Sequence, residues 1–349
     1  MYPSLKILKK SCKKFWYEFD IIDDVSKNLF QVSDWNRFFF ANNHQTGMFP
    51  INHNFSSSIV ADKAFCYQIL KKHNFRIPEW KHFFINSDYN GFIHNDNKQV
   101  NINKYVNTLW YPIFVKPNNA SLWKWAEVIY NNKDLKKHLE EIKNISDICL
   151  VQEYVKAQEY RIFVVNWEIQ FTYKRSSANI KWDWKNNIKK LLKKASHLEF
   201  LNSKFFLWEL IKKNLTLNSI LPKNDFINLH SKSNISAGWE ISEFKINHWI
   251  KLEKWVKKLV SKFDIWVCGI DIFAPKWINS PKDFIIIELN SNPSLVATYE
   301  LWYKKLVLSI WKKIMMSYFW KKNNLDRKYR WISNILSKNK KSKKIKSSL

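Results

Sequence analysis

Nineteen Trp against four Gly is the feature that most constrains what this chain can fold into. Glycine is normally about 7% of a sequence, and it is the residue that takes left-handed backbone without steric cost. A 349-residue chain with four Gly has almost none to spend on turns. Yet Trp123 and Trp125 sit in SLWKWAEV, Trp182 and Trp184 flank Asp183 in KWDWKN, and Trp239 follows Gly238 in SAGWE. These are tight-turn contexts, where Gly and Asn are the ordinary choices. Trp and Gly together reach the usual glycine share of about 7%. We therefore read many of these Trp as UGA codons that the source translates as glycine and a different codon table prints as Trp. UGG at positions 123, 125, 182, 184 and 239 would overturn that reading. Trp16 and Trp302 need not follow it. The competing reading is a Trp-rich protein that uses indoles for packing or base stacking.

The formal net charge of +28 ordinarily points to a polyanionic partner. Here Lys is accompanied by abundant Asn, Ile, Phe and Tyr, the other residues of AT-rich codons. Much of the excess therefore reads as genomic drift onto solvated faces, although an anionic nucleotide or acidic substrate gains from the field. Cys12, Cys66, Cys149 and Cys268 are far apart and form no C-x-x-C pair. That excludes a disulfide framework and a zinc ribbon, and fits a reducing compartment. The stretch MYPSLKILKKSCKKFWYEF has no long apolar core, so no secretory leader is expected. No apolar run approaches the roughly 20 residues of a membrane span. The expectation is a soluble, cytoplasmic protein without membrane contact.

Residues 1–56 read as a small, weakly patterned N-terminal lobe. SSIVADKAFCYQILKKHNF, from Ser57 to Phe75, predicts a helix stopped by Pro78. A strand, a polar loop and a short helix follow over 81–109. YPIFVKP (111–117) and AEVIY (126–130) predict a hairpin across SLWKW. DLKKHLEEIKNI is an amphipathic helix, and ICLVQEYV and YRIFVVNWEIQFTYKR are half-buried strands. A charged helical region to about residue 215 leads to FINLHSKSNISAGWEISEF, a helix near 249–263, the apolar strands VCGIDIF (267–273) and FIIIELN (284–290), and a helix over 300–320. The segment 321–349 is dominated by Lys, Asn and Ser and predicts a basic, flexible tail.

The last two strands carry the clearest chemistry. Asp271, Glu288 and Asn290 occupy their polar positions, and Glu288 and Asn290, two apart, share one face. Two carboxylates and an amide oxygen suit Mg²⁺, a hard cation that takes oxygen ligands. The bland alternative is a pair of exposed strand-end acids, which an apolar run such as FIIIEL disfavours. Lys116 ends the strand that feeds SLWKW. With glycine at 123 and 125 that turn becomes a loop whose backbone N–H groups can close on phosphates. It is not a Walker A loop, since no Lys-Ser/Thr pair follows at the right spacing.

Taken in order, ADK, YPIFVKP, SLWKW, VQEYV-x3-EYR, YKRSSAN-x-KWDW, NISAGW, GIDIF and IIELNSNP resemble the ATP-grasp superfamily. More narrowly they resemble the ATP-grasp modules of cyanophycin synthetase and of bifunctional glutamate–cysteine ligase/glutathione synthetase. The resemblance runs from about Ser57 to Leu295, and Trp80, Trp110, Trp167, Trp182, Trp184 and Trp239 fall on glycines of that pattern. It implies an α+β fold of two lobes gripping ATP between antiparallel sheets. The boundaries it suggests are an N-terminal lobe at 1–56 and an ATP-grasp domain at 57–320, with a lid subdomain near 80–155 and a catalytic, metal-binding subdomain near 156–320, then the tail.

Carried over residue by residue, the resemblance assigns Lys63 and Lys116 to the ATP phosphates. Ser121, Trp123, Lys124 and Trp125 belong to the lid loop. Gln152, Glu153 and Val155 form the adenine hinge, and Glu159 faces the ribose. Asp271, Glu288 and Asn290 hold magnesium, two ions with manganese as the substitute. Arg175 and Asn234 face the transferring phosphoryl group and the acyl phosphate. His230 stands where relatives carry Arg, and Ser176 replaces a Pro. The implied activity is an ADP-forming ligation of a carboxylate to an amine, on amino acids or peptides, with homo-oligomers admitted. The alternatives are a basic, aromatic-rich nucleic-acid-binding protein and an ATP-grasp module without activity.

Overall fold

Helix signals at the N-terminus are local and strong. In the computed structural model, which describes residues 2–43, 47–86, 98–119, 125–176, 179–194, 201, 203–229, 240–274, 278, 280–301 and 303–319, α1 (Pro3–Lys14) opens with proline in its first turn. At that position the N–H that proline lacks would have had no helical partner in any case. Its buried stripe of Leu5, Leu8 and Cys12 faces the core. Three short antiparallel strands follow, β1 (Glu18–Ile21), β2 (Leu29–Ser33) and β3 (Phe38–Asn42). The weakly patterned N-terminal lobe is thus a helix on a three-stranded sheet.

The single helix expected from Ser57 to Phe75 is instead two. α2 (Asn54–Ala61) ends at Asp62, and α3 (Lys63–Lys72) begins there. The Asp62 carboxylate accepts from the Phe65 N–H at 2.8 Å. A carboxylate in that role caps a new helix start, and so breaks an apolar periodicity that otherwise runs through.

The second sheet is built from β4 (Trp80–Phe84), β5 (Ile113–Pro117), β6 (Glu127–Ile129) and β7 (Ile148–Glu153), in the order β4-β7-β5-β6, all antiparallel. α4 (Ile102–Leu109) and α5 (Asn132–Lys143) cover it. Leu135, His138, Leu139 and Ile142 of α5 are buried at helical spacing, and Asn131 caps the helix through the Asp134 N–H.

The third sheet has five strands: β8 (Glu159–Val165), β9 (Glu168–Ser176), β12 (Glu240–Lys245), β13 (Val267–Phe273) and β14 (Ile285–Asn290), ordered β12-β9-β8-β13-β14 and antiparallel throughout. Between β9 and β12 the chain forms a side unit, β10 (Asn179–Lys181) paired with β11 (Phe226–Asn228), with its own core beneath α6 (Ile188–Lys194) and α7 (Ser203–Lys212). One face of the five-stranded sheet packs on α2, α3 and α8 (Ile250–Ser261). The opposite face packs at one end on the N-terminal lobe and on a C-terminal helix, α10 (304–319), which follows α9 (Val296–Glu300). Asn52 pins the lobe there. Its Oδ1 accepts from the Val267 N–H at 2.7 Å, and its Nδ2 donates to the Val267 and Ser291 carbonyls. All four cysteines are buried and free, and among the described residues no helix is long and apolar enough to cross a membrane.

Among the described residues eleven non-glycine positions take positive φ, and four of them are Trp: Trp16, Trp110, Trp167 and Trp184. The β8–β9 hairpin is the clearest case. Val165 pairs with Glu168, so Asn166 and Trp167 are a two-residue loop, with φ of 54° and 64°. Positive φ at both central residues is the type I′ turn, whose usual sequence is Asn-Gly. Trp110 caps α4 at φ 61°, ψ 144°, a combination adopted almost solely by glycine. Trp125 and Trp182 are not at positive φ and pack against the cores of the four-stranded sheet and the side unit. Trp123 and Trp239 lie outside the described residues.

Left-handed backbone costs a side-chain-bearing residue roughly 1–2 kcal/mol. Trp16 and Trp110 are 84% and 77% exposed, so their indoles return little of it. Trp16→Gly and Trp110→Gly should each raise stability by about 1 kcal/mol in urea denaturation. A loss at either position would mean that the indole contributes more than the backbone costs.

Candidate functional site

Strand register alone brings the charged groups of the five-stranded sheet together. Asp271 on β13 lies directly opposite Arg161 on β8 and, on its other side, Glu288 on β14. Glu159 on β8 faces Arg175 on β9. Period-two alternation puts Arg161, Glu159, Arg175 and Asp271 on the sheet face that carries Phe163, Phe171 and Val267. All four charged residues are buried, Asp271 completely.

Arg161 forks onto Asp271, with Nε on Oδ1 and Nη2 on Oδ2 at 2.6 Å. Arg175 bridges the two carboxylates, through Nη1 to Glu159 Oε1 and to Asp271 Oδ2 at 3.0 Å. Burial opposes ionisation of Asp271, but the two guanidinium groups outweigh it and hold its carboxyl below the ordinary range. Glu288 and Asn290 join the same cluster. Asn290 Nδ2 lies 3.3 Å from Asp271 Oδ2 and 3.2 Å from Glu288 Oε1. Two acids directly opposed across a strand pair repel, so this arrangement favours a cation between them.

The donor chemistry fits a hard divalent ion: two carboxylates and an amide, all oxygen ligands once the Asn290 amide turns its oxygen inward. Among the described residues no cluster of three or more His, Cys, Asp or Glu side chains forms a metal site. The set is two acids and one amide, and phosphate oxygens and water would complete it.

The lysines approach from the other side. Lys116 is buried at the end of β5, and its Nζ donates to the Tyr67 hydroxyl at 3.1 Å. That hydroxyl donates to the Ile287 carbonyl at 2.6 Å and lies 3.4 Å from Gln152 Oε1. Tyr67 thus links α3, both sheets and the strand that carries Glu288. Burial pushes the Lys116 ammonium down to about 7, against the pull of Glu288 and with the push of Lys63. Lys63, the first residue of α3, donates from Nζ to the Asn118 carbonyl at 3.0 Å. Asn118 is fully buried, accepts from the Ala64 N–H and donates to Asp62. It fixes the start of the loop that follows β5 against α3.

Gln152 and Glu153 end β7, and the Glu153 N–H donates to the Glu79 carbonyl at 2.9 Å. Half-buried Val155 follows, on the crossing from one sheet to the other. Glu159, expected at a ribose, has its carboxylate engaged by Arg175. Trp125 accepts from His138 through its carbonyl at 3.0 Å. Ser121, Trp123, Lys124, Asn234 and His230 lie outside the described residues.

The sequence reading named the acids, Arg175 and both lysines, and the fold brings the acids and Arg175 together; it did not name Arg161, Tyr67 or Asn118. Arg161 had a visible signal: a charge inside the apolar run YRIFVV seldom goes unpaired.

Removing the Asp271 charge leaves two buried guanidinium groups with one carboxylate. Asp271→Asn should therefore cost about 3–5 kcal/mol in denaturant. Because the Asp271 pKa is lower folded than unfolded, its contribution is present above about pH 4 and lost as pH falls below. The acid limb of the stability profile should accordingly be shallower in the variant.

Comparison with known proteins points one way. Residues 60–197 match the RimK-like ATP-grasp domain. The glutathione biosynthesis bifunctional protein GshAB of Streptococcus mutans is 26% identical over 256 residues, covering 68% of this chain and 32% of that protein. The Listeria welshimeri protein of the same name is 26% identical over 203 residues, covering 52% and 26%. The crystal structure of a bifunctional glutathione synthetase from Pasteurella multocida superposes with a TM-score of 0.58 at 17% identity, over 90% of this chain and 44% of that one. This chain therefore spans about a third of the length of the first of these curated relatives and about a quarter of the second.

Proposed function

We propose that this chain, which matches the RimK-like ATP-grasp domain over residues 60–197, works in the cytoplasm as an ATP-dependent, ADP-forming carboxylate–amine ligase, acting on amino acids or peptides through an acyl phosphate. The observation that supports this reading is that Lys116 of the four-stranded sheet reaches, through Tyr67, the strand that carries Glu288 and feels its charge, beside Asp271, Asn290 and Arg175. In this reading residues 80–155 are the lid subdomain, 156–320 the catalytic subdomain and 1–56 an accessory lobe, and ATP lies between the two sheets.

A carboxylate is a poor electrophile toward an amine. Its oxygen first attacks the γ-phosphorus of ATP, the bond to the β-phosphate oxygen breaks, and ADP leaves. In this reading Lys116 and Lys63 offset the phosphate charge, and Arg175 turns from its carboxylates to the transferring group. Mg²⁺ held by Asp271, Glu288 and Asn290 would supply further charge neutralisation at the phosphates. The amine then attacks the acyl carbon, phosphate departs with the C–O bond pair, and the nitrogen loses a proton. Asn234, with Arg175, is assigned to the oxyanion of that step. Water would hydrolyse the acyl phosphate, and the reading gives its exclusion to the segment 118–125, of which 120–124 lie outside the described residues.

Two measurements test the reading. ADP and phosphate release, screened against pairs of amino acids and dipeptides, should depend on the amine. No amine-dependent release across a broad panel would overturn the ligase assignment, and Arg175→Ala should lower kcat about 10²- to 10³-fold. Lys116, near 7 without ligand, should take up a proton when phosphates arrive. ATP affinity should therefore be full below pH 7 and fall by up to about tenfold per pH unit above it. Calorimetry in buffers of different ionisation enthalpy should register the uptake, and Lys116→Met should abolish it.

A further inference from the structure

Arg161 stands outside the set of groups that would touch ATP or substrate, yet it makes the most directed contact in the site. Its fork takes both oxygens of Asp271, whereas Arg175 touches one. Oδ2 of Asp271 is crowded, with Arg161, Arg175 and Asn290 all within 3.3 Å.

Gly269 explains why the fork fits. An added Cβ at that position would lie 2.8 Å from Pro293 Cβ and 2.9 Å from Arg161 Nη1. The guanidinium therefore lies across the bare backbone of β13, between Asp271 and Pro293. Gly269 is one of only four printed glycines, and here it is the missing side chain, rather than a turn, that the structure requires.

We infer that Arg161, seated over Gly269, is a positioning residue for the divalent-cation site: it fixes the Asp271 carboxylate toward Glu288 and Asn290, so that an arriving cation displaces Arg175 rather than competing with both arginines. The inference rests on the metal assignment of the proposed function. Its physical basis is the hydrogen-bonded support that orients metal-ligating carboxylates, loss of which typically costs 10- to 100-fold in metal affinity. Without Arg161, a fully buried Asp271 would keep Arg175 as its one guanidinium partner, and the guanidinium meant for the phosphoryl group would stay locked on the ligand.

The test is Mn²⁺ binding, read by the electron paramagnetic resonance of free Mn²⁺ in the presence of ATP, on the full chain without turnover. Arg161→Met should weaken Mn²⁺ binding at least about tenfold. Arg161→Lys should fall between it and the wild type, because an ammonium cannot fork. Gly269→Ala, which keeps every ligand and every charge, should weaken binding as well by pushing the guanidinium aside. Circular dichroism and thermal melting identify any variant that fails to fold, and the folded ones decide the matter. Unchanged or tighter Mn²⁺ binding in the folded Arg161→Lys and Gly269→Ala proteins overturns the inference. Failure of the wild type itself to bind Mn²⁺ with ATP removes the metal assignment, and the inference falls with it.

Discussion

The buried quartet of Arg161, Asp271, Arg175 and Glu159 is the constraint around which the rest is arranged. Two guanidinium groups and two carboxylates, all nearly without solvent, balance in charge. Desolvating four ions is expensive, and their mutual attraction repays it only in good geometry. The geometry comes from the sheet, because β8 lies between β9 and β13 and puts an acid and a base within reach on each side. A slip of one residue in either pairing would turn one member of each pair to the opposite face. Such a slip would strand charges in the apolar core, so the quartet fixes the register as firmly as the hydrophobic runs do. It also keeps two arginines poised beside the acids proposed to bind a cation.

One hydroxyl ties the two sheets together by hydrogen bonds, beside the shared packing of Leu150 and Trp80. Tyr67 on α3 accepts from Lys116 and donates to the backbone of the strand carrying Glu288. A ligand that drew Lys116 toward its phosphates would loosen that link and bring the ammonium back to full charge. Lys116 near 7 is therefore responsive: burial leaves it only partly charged at neutral pH, and an anion restores the charge. The buried lysine and the over-supplied Asp271 share a logic. Each is held by protein partners in an arrangement that a polyphosphate and its cation can take over.

How much of this was legible depended on the distance over which each signal acts. The strands carrying Asp271, Glu288 and Asn290 were readable because apolar runs and period-two spacing are local, and so was the hairpin over 113–129. The split between α2 and α3 was legible in principle, since Asp62 in VADKAF can cap a helix, but a continuous apolar stripe masked it. Arg161 and Tyr67 act over separations of 110 and 220 residues, and nothing local in either marks its partner. The N-terminal lobe was hardest, because its strands are of four or five residues and Phe38 and Phe40 stay exposed.

Backbone conformation bears on the Trp excess in a way composition does not. A type I′ loop at Asn166–Trp167 follows from pairing Val165 with Glu168, whatever indole or hydrogen the second position carries. As printed, Trp167 adds a buried indole Nε1 with no hydrogen-bond partner. Four tryptophans at positive φ would together cost roughly 4–8 kcal/mol, against a whole-domain stability of about 5–15 kcal/mol. Glycine at those positions removes the whole term. Trp16 then joins Trp110, Trp167 and Trp184 among the proposed glycines, although its sequence context alone gave no reason to include it. Trp125 and Trp182 are different, since their backbone is ordinary and their indoles are packed. For these two the case for glycine rests on codon and motif alone. The proposed recoding therefore has graded physical support, strongest where the chain turns left-handed and weakest where an indole has found a core.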